Sequence, residues 1–168
     1  MPARRAAPSY DELAVRMRAL HSRLVKRKLT VASAESCTGG LLASVLTEHG
    51  GSSAFYRGGA SVYSNEAKTA FADVPPQLVH SHGAVSSVVA GALARGVRAR
   101  LGAAIGLGIT GIAGPGGATP GKPVGLVFVA VDSDRVSKVK RCLWSFDRAG
   151  NRLASVGVAL DLLDEASR

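Results

Sequence analysis

The chain has 168 residues, of which 46% are hydrophobic and 20% charged, values typical of one soluble globular domain. No apolar run is long enough to cross a bilayer, and the polar, acidic sequence that follows Arg4 and Arg5 is unlike a secretory signal. We therefore predict a cytoplasmic protein without a membrane partner. Cys37 and Cys142 lie far apart with no C-x-x-C or His-rich neighbourhood, so we expect neither a disulfide framework nor a bound metal.

The net charge of +9 raises the question of nucleic-acid binding. Six of these nine positive charges come from residues 1–30, which hold eight Lys or Arg against two acidic residues. Aromatic residues, which stack on bases in nucleic-acid-binding proteins, make up only 5% of the chain. We interpret the basic segment as the solvated face of a helix and keep contact with a phosphate backbone as the alternative.

Hydrophobic periodicity predicts helices and strands that alternate along the chain. Residues 1–8 are predicted to be disordered, and Ser9 with Glu12 forms a capping-box pattern at the start of a helix. The apolar stripe of that helix consists of Leu13, Met17, Leu20 and Leu24. The later predicted elements are a strand over 29–34, a helix over 38–47, a strand over 55–64, a short helix over 65–73, a helix-to-helix turn around His80 and His82, a helix over 85–101, a strand over 103–110, a glycine-rich loop over 111–121, strands over 123–132 and 137–146, and a helix from about Asn151.

This alternation of helices and strands, without a repeat or a linker, predicts the α/β class. We expect a single domain over residues 9–168, in which helices cover both faces of a mixed sheet. The small residues of the strand over 29–34 further predict that a neighbouring element approaches that strand closely.

Two glycine patterns imitate phosphate-binding motifs. Gly106, Gly108 and Gly111 match G-x-G-x-x-G, but that fingerprint requires a helix directly after it, and the sequence continues as IAGPGG. The segment 116–122 matches G-x-x-x-x-G-K, but Pro123 follows where magnesium coordination requires Ser or Thr. We therefore predict neither a Rossmann site nor a nucleoside-triphosphate site. The density of glycines leaves two interpretations open, an anion-binding loop and a flexible surface loop.

Ser36 lies where the predicted strand over 29–34 meets the following helix. The free N–H groups and the positive end of a helix favour an alkoxide or a phosphate at such a junction, but a helix cap at Ser36 or Thr38 is the commoner role. A nucleophilic serine needs a base, and local sequence places none of the four histidines to act as one.

The neighbours of Ser36 also carry chemistry. Cys37 is by nature the stronger nucleophile, but we interpret it as a small buried residue behind the turn. Glu35 has two interpretations: it orients a cation or a substrate amide, or it forms an ion pair at the start of the helix.

Lys68 is the alternative base for Ser36. If Ser64 caps the short helix, Tyr63 precedes the cap and Lys68 is the fourth helical residue, and residues in these two positions contact each other in a hydrophobic staple. The positive end of the helix and partial burial would lower the pKa of Lys68 and make it a usable general base. An exposed lysine beside a half-buried tyrosine is the simpler interpretation of the local sequence.

Six motifs at matching spacing make the chain resemble a known family: AESCTGG, YSNEAK, HGAVS, GITGIAGPGG, KPVGLVFVAV and GNR. From about Leu24 onward the chain resembles the C-terminal domain of the competence/damage-inducible protein CinA family, the nicotinamide-nucleotide amidohydrolases. The resemblance implies a three-layer α/β/α sandwich and hydrolysis of nicotinamide mononucleotide to nicotinate mononucleotide and ammonia. It also implies a stand-alone deamidase without the second domain of larger members, a homo-oligomer, and no metal or organic cofactor.

The resemblance assigns roles to individual residues. Ser36 matches the nucleophile of the family, and Tyr63 and Lys68 match its activating partners. The family pattern usually has a second arginine one helical turn after the arginine of GNR, and Val156 stands at that position here. The positions that match substrate-binding parts of the family pocket, including the arginine expected near the phosphate, are Thr38, Gly39, Thr110, Gly111, Gly114 and Arg152.

Two other functions compete with the amidohydrolase at this point. The basic first helix and the family's association with competence favour a non-enzymatic accessory of DNA or of recombination proteins. Val156 favours a mononucleotide-binding module whose catalytic site is weak. Mutation of Ser36 and measurement of ammonia release separate these functions from the deamidase.

Overall fold

Five strands form one mixed sheet at the centre of the computed structural model, which describes residues 6–168. The strands are β1 (Val31–Glu35), β2 (Tyr56–Ser61), β3 (Ile105–Gly111), β4 (Leu126–Ser133) and β5 (Ser137–Leu143). Their order across the sheet is β2-β1-β3-β4-β5. β1 runs parallel to both β2 and β3, whereas β4 runs antiparallel to both β3 and β5. The mixed sheet confirms the predicted α/β class.

Helices cover both faces of this sheet. The described residues form α1 (Tyr10–Lys26), α2 (Leu41–Leu46), α3 (Asn65–Ala72), α4 (Pro76–His82), α5 (Ser87–Arg100) and α6 (Arg148–Ala166). α1, α2 and α6 share one apolar core with the first face of the sheet, and α3, α4 and α5 pack on the opposite face. The fold is therefore the three-layer α/β/α sandwich that the family resemblance implies.

Two helix boundaries differ from the sequence-based prediction. His80 and His82 lie in α4, not in a turn, because Pro76 at the start of the helix presets the backbone; α4 buries no side chain and so leaves no apolar stripe in the sequence. α6 begins at Arg148, before the predicted Asn151, because the carboxylate of Asp147 caps it by accepting from Gly150 N. The predicted strands are correct in type and differ by a few residues at their ends.

The start of α2 also differs from the prediction. The helix begins at Leu41, not at Thr38, and neither Ser36 nor Thr38 caps it. The buried carboxylate of Glu35 at the end of β1 replaces a cap, since it accepts hydrogen bonds from Gly40 N at 3.2 Å, Leu42 N at 2.9 Å and Ala43 N at 2.9 Å. The first amides of α2 are therefore already bound to an anion of the protein itself.

The glycines of β3 explain the first imitation motif. Gly106 and Gly108 lie beneath α5, and a Cβ atom at Gly108 would lie 2.5 Å from the carbonyl oxygen of Ala90. These glycines let α5 approach the sheet closely, and they bind no phosphate because their space is filled by the helix. The prediction that G-x-G-x-x-G is not a dinucleotide site agrees with this packing.

Several basic residues of α1 hold the helix against α6. Arg16 pairs with Asp161 at 2.5 Å, Arg23 pairs with Asp164, and Arg27 donates to the carbonyl oxygen of Ser167 at 2.8 Å. This part of the basic segment therefore has a packing role.

Three properties of the chain bear on its ends and its surroundings. Residues 1–5 lie outside the described residues, so the predicted disorder of residues 1–8 stays a prediction, although Ala7 and Pro8 are half-buried. No helix within residues 6–168 combines the length and the apolar character that crossing a membrane requires. The same range contains no group of three His, Cys, Asp or Glu side chains that could hold a metal ion.

Gly108→Ala tests the close packing of α5 on β3. The added methyl group would overlap backbone atoms of α5, and overpacking of this kind lowers the free energy of unfolding by about 1 to 3 kcal/mol. Gly116→Ala is the matched control, because a Cβ atom at Gly116 would have no heavy atom within 4 Å, and it should change stability by less than about 0.5 kcal/mol. Urea unfolding of both variants measures the difference, and equal stabilities would contradict this packing.

Glu35→Ala tests the carboxylate cap of α2. Its removal leaves three amides without their charged acceptor, so we expect the free energy of unfolding to fall by about 2 to 3 kcal/mol. Glu48→Ala removes an exposed carboxylate that accepts only from the Tyr10 hydroxyl and should cost less than about 1 kcal/mol. The cap would be refuted by urea midpoints that fall equally in the two variants.

Candidate active site

Ser36 occupies the first position of a tight turn between β1 and α2. Its amide donates to the carbonyl oxygen of Ile109 in β3 at 2.9 Å, and its carbonyl oxygen accepts from Gly39 N at 3.0 Å. The turn requires left-handed backbone at Gly39 and Gly40, whose φ angles are +57° and +95°. Ser36 is held from both sides and is only 8% exposed.

The topology of the sheet makes this turn a natural ligand site. β1 is followed by α2 on one face of the sheet, whereas the chain from β2 reaches β3 through helices on the other face. The neighbouring carboxyl ends of β1 and β3 therefore border the point at which the connections diverge, where open α/β sheets form their binding crevice. Ser36 follows one of these strands, and Gly111 ends the other.

Lys68 is buried beside Ser36. Ser64 caps α3 by accepting from Ala67 N at 3.1 Å, which makes Lys68 the fourth helical residue as predicted. Its side chain is not exposed, contrary to the simpler interpretation, because the residue is 1% exposed and its Nζ lies 3.4 Å from Ser36 Oγ. Nζ also lies 2.9 Å from the carbonyl oxygen of Val62, with those of Tyr63 and Ser64 at 3.4 and 3.3 Å.

Burial lowers the pKa of Lys68 from its ordinary value, because the charged form loses its hydration. Negative charge on Cys37 or Glu66 would oppose this shift of the pKa. The Cys37 thiol is buried, and burial raises its pKa to about 12, so it carries no charge near pH 7. Cys37 is therefore the small buried residue that the sequence predicts and a poor nucleophile.

Tyr63 is placed differently from its predicted partnership with Lys68. The contact between the two residues uses the backbone carbonyl oxygen of Tyr63, whereas its side chain is directed elsewhere. The phenolic oxygen accepts a hydrogen bond from Arg148 Nη2 at 3.0 Å, and Tyr63 is 60% exposed. The structure thus brings Ser36 and Lys68 together and leaves the hydroxyl of Tyr63 outside their hydrogen bond.

The predicted residues of β3 and the glycine loop line the neighbouring edge of the site. Thr110 is buried, and its hydroxyl donates to the carbonyl oxygen of Ala84 at 2.8 Å. Gly111 allows the chain to pass close to β4, since a Cβ atom there would lie 2.7 Å from Leu126 O. Gly114 has a φ of +89°, and its carbonyl oxygen accepts from Arg148 Nη1 at 2.6 Å.

Arg152 connects α6 to the turn that holds Ser36. Its Nη2 donates to the carbonyl oxygen of Thr38 at 2.7 Å, and it lies beside Gly39. Thr38 Oγ1 and Arg152 Nε are buried without a hydrogen-bond partner among the described residues. Unsatisfied buried groups are uncommon in folded proteins, and two in one contact indicate a place where a ligand can supply the missing bonds.

Two residues at the start of α6 are not predicted from the sequence. Arg148 links Tyr63 to Gly114, and Asn151 is buried and donates to the carbonyl oxygen of Ala113 at 2.9 Å. The helix cap at Asp147 is the sequence signal that could have identified the true start of α6. A helix that begins at Arg148 has Arg148 and Arg152 one turn apart on the same side. The position that the family pattern assigns to a second arginine, Val156, is fully buried in the core.

A pocket of about 690 Å³ lies between the glycine loop and the start of α6. The charges of its two guanidinium groups, those of Arg148 and Arg152, reach the turn that holds Ser36, where they act to lower the pKa of the Cys37 thiol against the stronger effect of burial. A second cleft of about 660 Å³ lies between α3 and α4, but its lining includes none of the predicted site residues. The first pocket is lined by Ala113, Gly114, Pro115, Val124, Phe146, Asp147, Arg148, Ala149 and Arg152.

Comparison with known proteins identifies relatives of the whole described domain. The family model of the CinA C-terminal domain matches residues 14–167. A CinA-like protein of Gemmatimonas aurantiaca is 49% identical over 156 residues, which cover 93% of this chain and 36% of that protein. A CinA-like protein of Koribacter versatilis is 51% identical over 140 residues, covering 83% of this chain and 34% of that protein. The chain thus spans about a third of the length of these relatives.

The solved structures that resemble this chain are also competence/damage-inducible proteins. The competence/damage inducible protein CihA from Agrobacterium tumefaciens is 35% identical and superimposes with a TM-score of 0.91, covering 98% of this chain and 100% of that one. The competence damage-inducible protein A (ComA) from Klebsiella pneumoniae is 32% identical with a TM-score of 0.85, covering 94% and 96% of the two chains. The family model matches nearly the whole length of this chain, which therefore belongs to the CinA C-terminal domain family.

Proposed function

We propose that the chain is an amidohydrolase that deamidates nicotinamide mononucleotide to nicotinate mononucleotide and ammonia. The observation that carries this proposal is the buried Lys68, whose Nζ lies 3.4 Å from the hydroxyl oxygen of Ser36. A hydroxyl beside a desolvated amine is an arrangement that activates a serine nucleophile without histidine. The identity of the substrate rests on the family resemblance.

The surroundings of Lys68 define the direction of proton transfer. Carbonyl oxygens only accept hydrogen bonds, so those of Val62 and Ser64 engage N–H groups of Lys68. When Lys68 is neutral, its two N–H groups bind carbonyl oxygens and its lone pair is left for Ser36. The hydroxyl of Ser36 is the one group among these hydrogen-bond neighbours of Lys68 that has a proton to donate. Lys68 then acts as the general base for Ser36.

The reaction proceeds by acyl transfer. Ser36 Oγ attacks the carboxamide carbon while its proton passes to Lys68, and the tetrahedral intermediate expels ammonia, which takes the proton from Lys68. Water then attacks the acyl-enzyme ester, which releases the carboxylic acid and restores Ser36. The amides of Cys37 and Thr38 follow the nucleophile and donate to no backbone carbonyl oxygen in the described part of the chain, so we assign them the binding of the oxyanion.

The lining of the pocket carries two arginines against one carboxylate, that of Asp147, and so supports an anionic substrate. Arg148 and Arg152 bind only neutral oxygens, those of Gly114, Tyr63 and Thr38, and neither pairs with a carboxylate among residues 6–168. Two guanidinium groups without an anion favour a phosphate, with which they can form charge-assisted, two-pronged hydrogen bonds. The start of α2 does not serve this purpose, because Glu35 occupies its amides.

The non-enzymatic alternatives receive less support from the same observations. Of the four basic residues assigned to a nucleic-acid interface, Arg23, Lys26, Arg27 and Lys28, two are engaged within the protein: Arg23 pairs with Asp164, and Arg27 donates to the carbonyl oxygen of Ser167. A binding module with a weak catalytic site has no need of a buried lysine beside a serine hydroxyl. We therefore retain the amidohydrolase as the conclusion.

Ser36→Ala tests the nucleophile. We expect ammonia release from nicotinamide mononucleotide to fall by at least about 10³-fold, as in other serine enzymes that lose their nucleophile. Cys37→Ala is the matched control, and it should retain most of the rate because the thiol is buried and protonated. Equal ammonia release by wild type and Ser36→Ala would remove Ser36 from this role.

The pH profile tests Lys68. Because burial lowers the pKa of Lys68 and only its neutral form can accept a proton, kcat/KM should rise with pH through an inflection below the ordinary lysine value of about 10.4. Activity is lost as the pH falls through that pKa. Lys68→Arg keeps the positive charge but cannot lose its proton, so it should be inactive at every pH tested. A flat profile in wild type, or turnover by Lys68→Arg, would contradict the assignment.

A further inference from the structure

Among residues 6–168, one hydrogen bond holds the hydroxyl of Tyr63 outside the catalytic pair. It accepts from Arg148 Nη2 at 3.0 Å, and the residue is 60% exposed. Its backbone is tied down, because Lys68 Nζ contacts the carbonyl oxygens on both sides of it, those of Val62 and Ser64, as well as its own. A change in the position of the phenol therefore needs only side-chain rotation, which is fast for an exposed residue.

Arg148 is the group that holds the phenol, and it pairs with no carboxylate among residues 6–168. Its Nη1 donates to Gly114 O at 2.6 Å and its Nη2 donates to Tyr63, so both acceptors are neutral. A phosphate in the adjoining pocket would offer charged oxygens, so its bond to Nη2 would add the attraction between opposite charges, which the neutral phenol oxygen does not supply. The phosphate would thus compete with Tyr63 for the same N–H group.

We propose that Arg148 is a specificity-determining residue that couples recognition of an anionic substrate group to the placement of Tyr63. Without the anion, Arg148 holds the phenol outward. When the anion takes Nη2, Tyr63 is released and turns toward Lys68 and Ser36. This inference rests on the proposed function for the reaction it serves, whereas the release of Tyr63 by an anion is independent of turnover.

The coupling predicts a particular effect on kinetics. A phosphate that merely anchors the substrate lowers KM, whereas one that also releases Tyr63 raises kcat. Nicotinamide riboside, which lacks the phosphate, should have a lower kcat than nicotinamide mononucleotide. Added inorganic phosphate should raise the kcat for the riboside on the order of tenfold, within the usual range of coupling between two sites.

Arg148→Met separates this role from simpler ones. It cannot hold the phenol, so kcat for nicotinamide riboside should rise toward that for the mononucleotide, activation by phosphate should disappear, and KM for the mononucleotide should increase. If Arg148 only binds phosphate, the substitution leaves kcat for the riboside unchanged. If Arg148 is only structural, kcat falls for both the riboside and the mononucleotide. Either result overturns the proposal. Arg18→Met is the control, because Arg18 is an exposed helical arginine outside the pocket and should behave as wild type.

A measurement without turnover distinguishes failure of this inference from failure of the proposed function. The chain has three tyrosines, so protein labelled with 3-fluorotyrosine should give three ¹⁹F resonances, and Tyr63→Phe assigns the one of interest. Titration with inorganic phosphate should shift the Tyr63 resonance in wild type and leave it unchanged in Arg148→Met. A shift in an enzyme that does not deamidate would support the inference and refute the proposed reaction, whereas no shift in wild type would overturn the inference itself.

Discussion

The hydrogen bonds from α2 to the carboxylate of Glu35 govern how the site is divided. The end of β1 reaches three amides of the helix through this one side chain, so the intervening turn is held at both ends with Ser36 at its start. The positive end of α2, which would otherwise attract an anion, is neutralised by the protein itself. The start of α2 is therefore not left as an anion site beside Ser36, and the phosphate of the proposed substrate has to bind to other groups.

In the proposed mechanism, Lys68 accepts the proton of Ser36. Its amine is kept from solvent, and its N–H groups are directed by backbone carbonyl oxygens that belong to the segment immediately before α3. The helix cap at Ser64 positions that segment, so a local signal of a few residues determines where the lysine begins its path. Burial then supplies the chemistry, because a lysine that is costly to charge is one that can accept a proton.

The groups that we propose for binding the substrate phosphate lie at the start of α6. Arg148 and Arg152 connect this helix to the glycine loop, to Tyr63 and to the turn that holds Ser36. Neither guanidinium group has a carboxylate partner in the described part of the chain, so the phosphate of the proposed substrate would be their first charged partner. The coupling that we propose between substrate recognition and the position of Tyr63 runs through the guanidinium group of Arg148.

The sequence by itself determined the α/β class and the mixed sheet, because hydrophobic periodicity acts over a few residues. It likewise determined the helix caps at Ser9 and Ser64, and with the second cap the proximity of Lys68 to Tyr63, because a cap acts within one helical turn. It also excluded the two phosphate motifs, because each requires a specific neighbour that is missing. Only the tertiary structure decided that Lys68 is buried against Ser36, 32 residues away, and that the hydroxyl of Tyr63 turns to Arg148, 85 residues away. Contacts between such distant residues depend on how whole elements pack, and the burial that lowers the pKa of Lys68 exists only after they have packed.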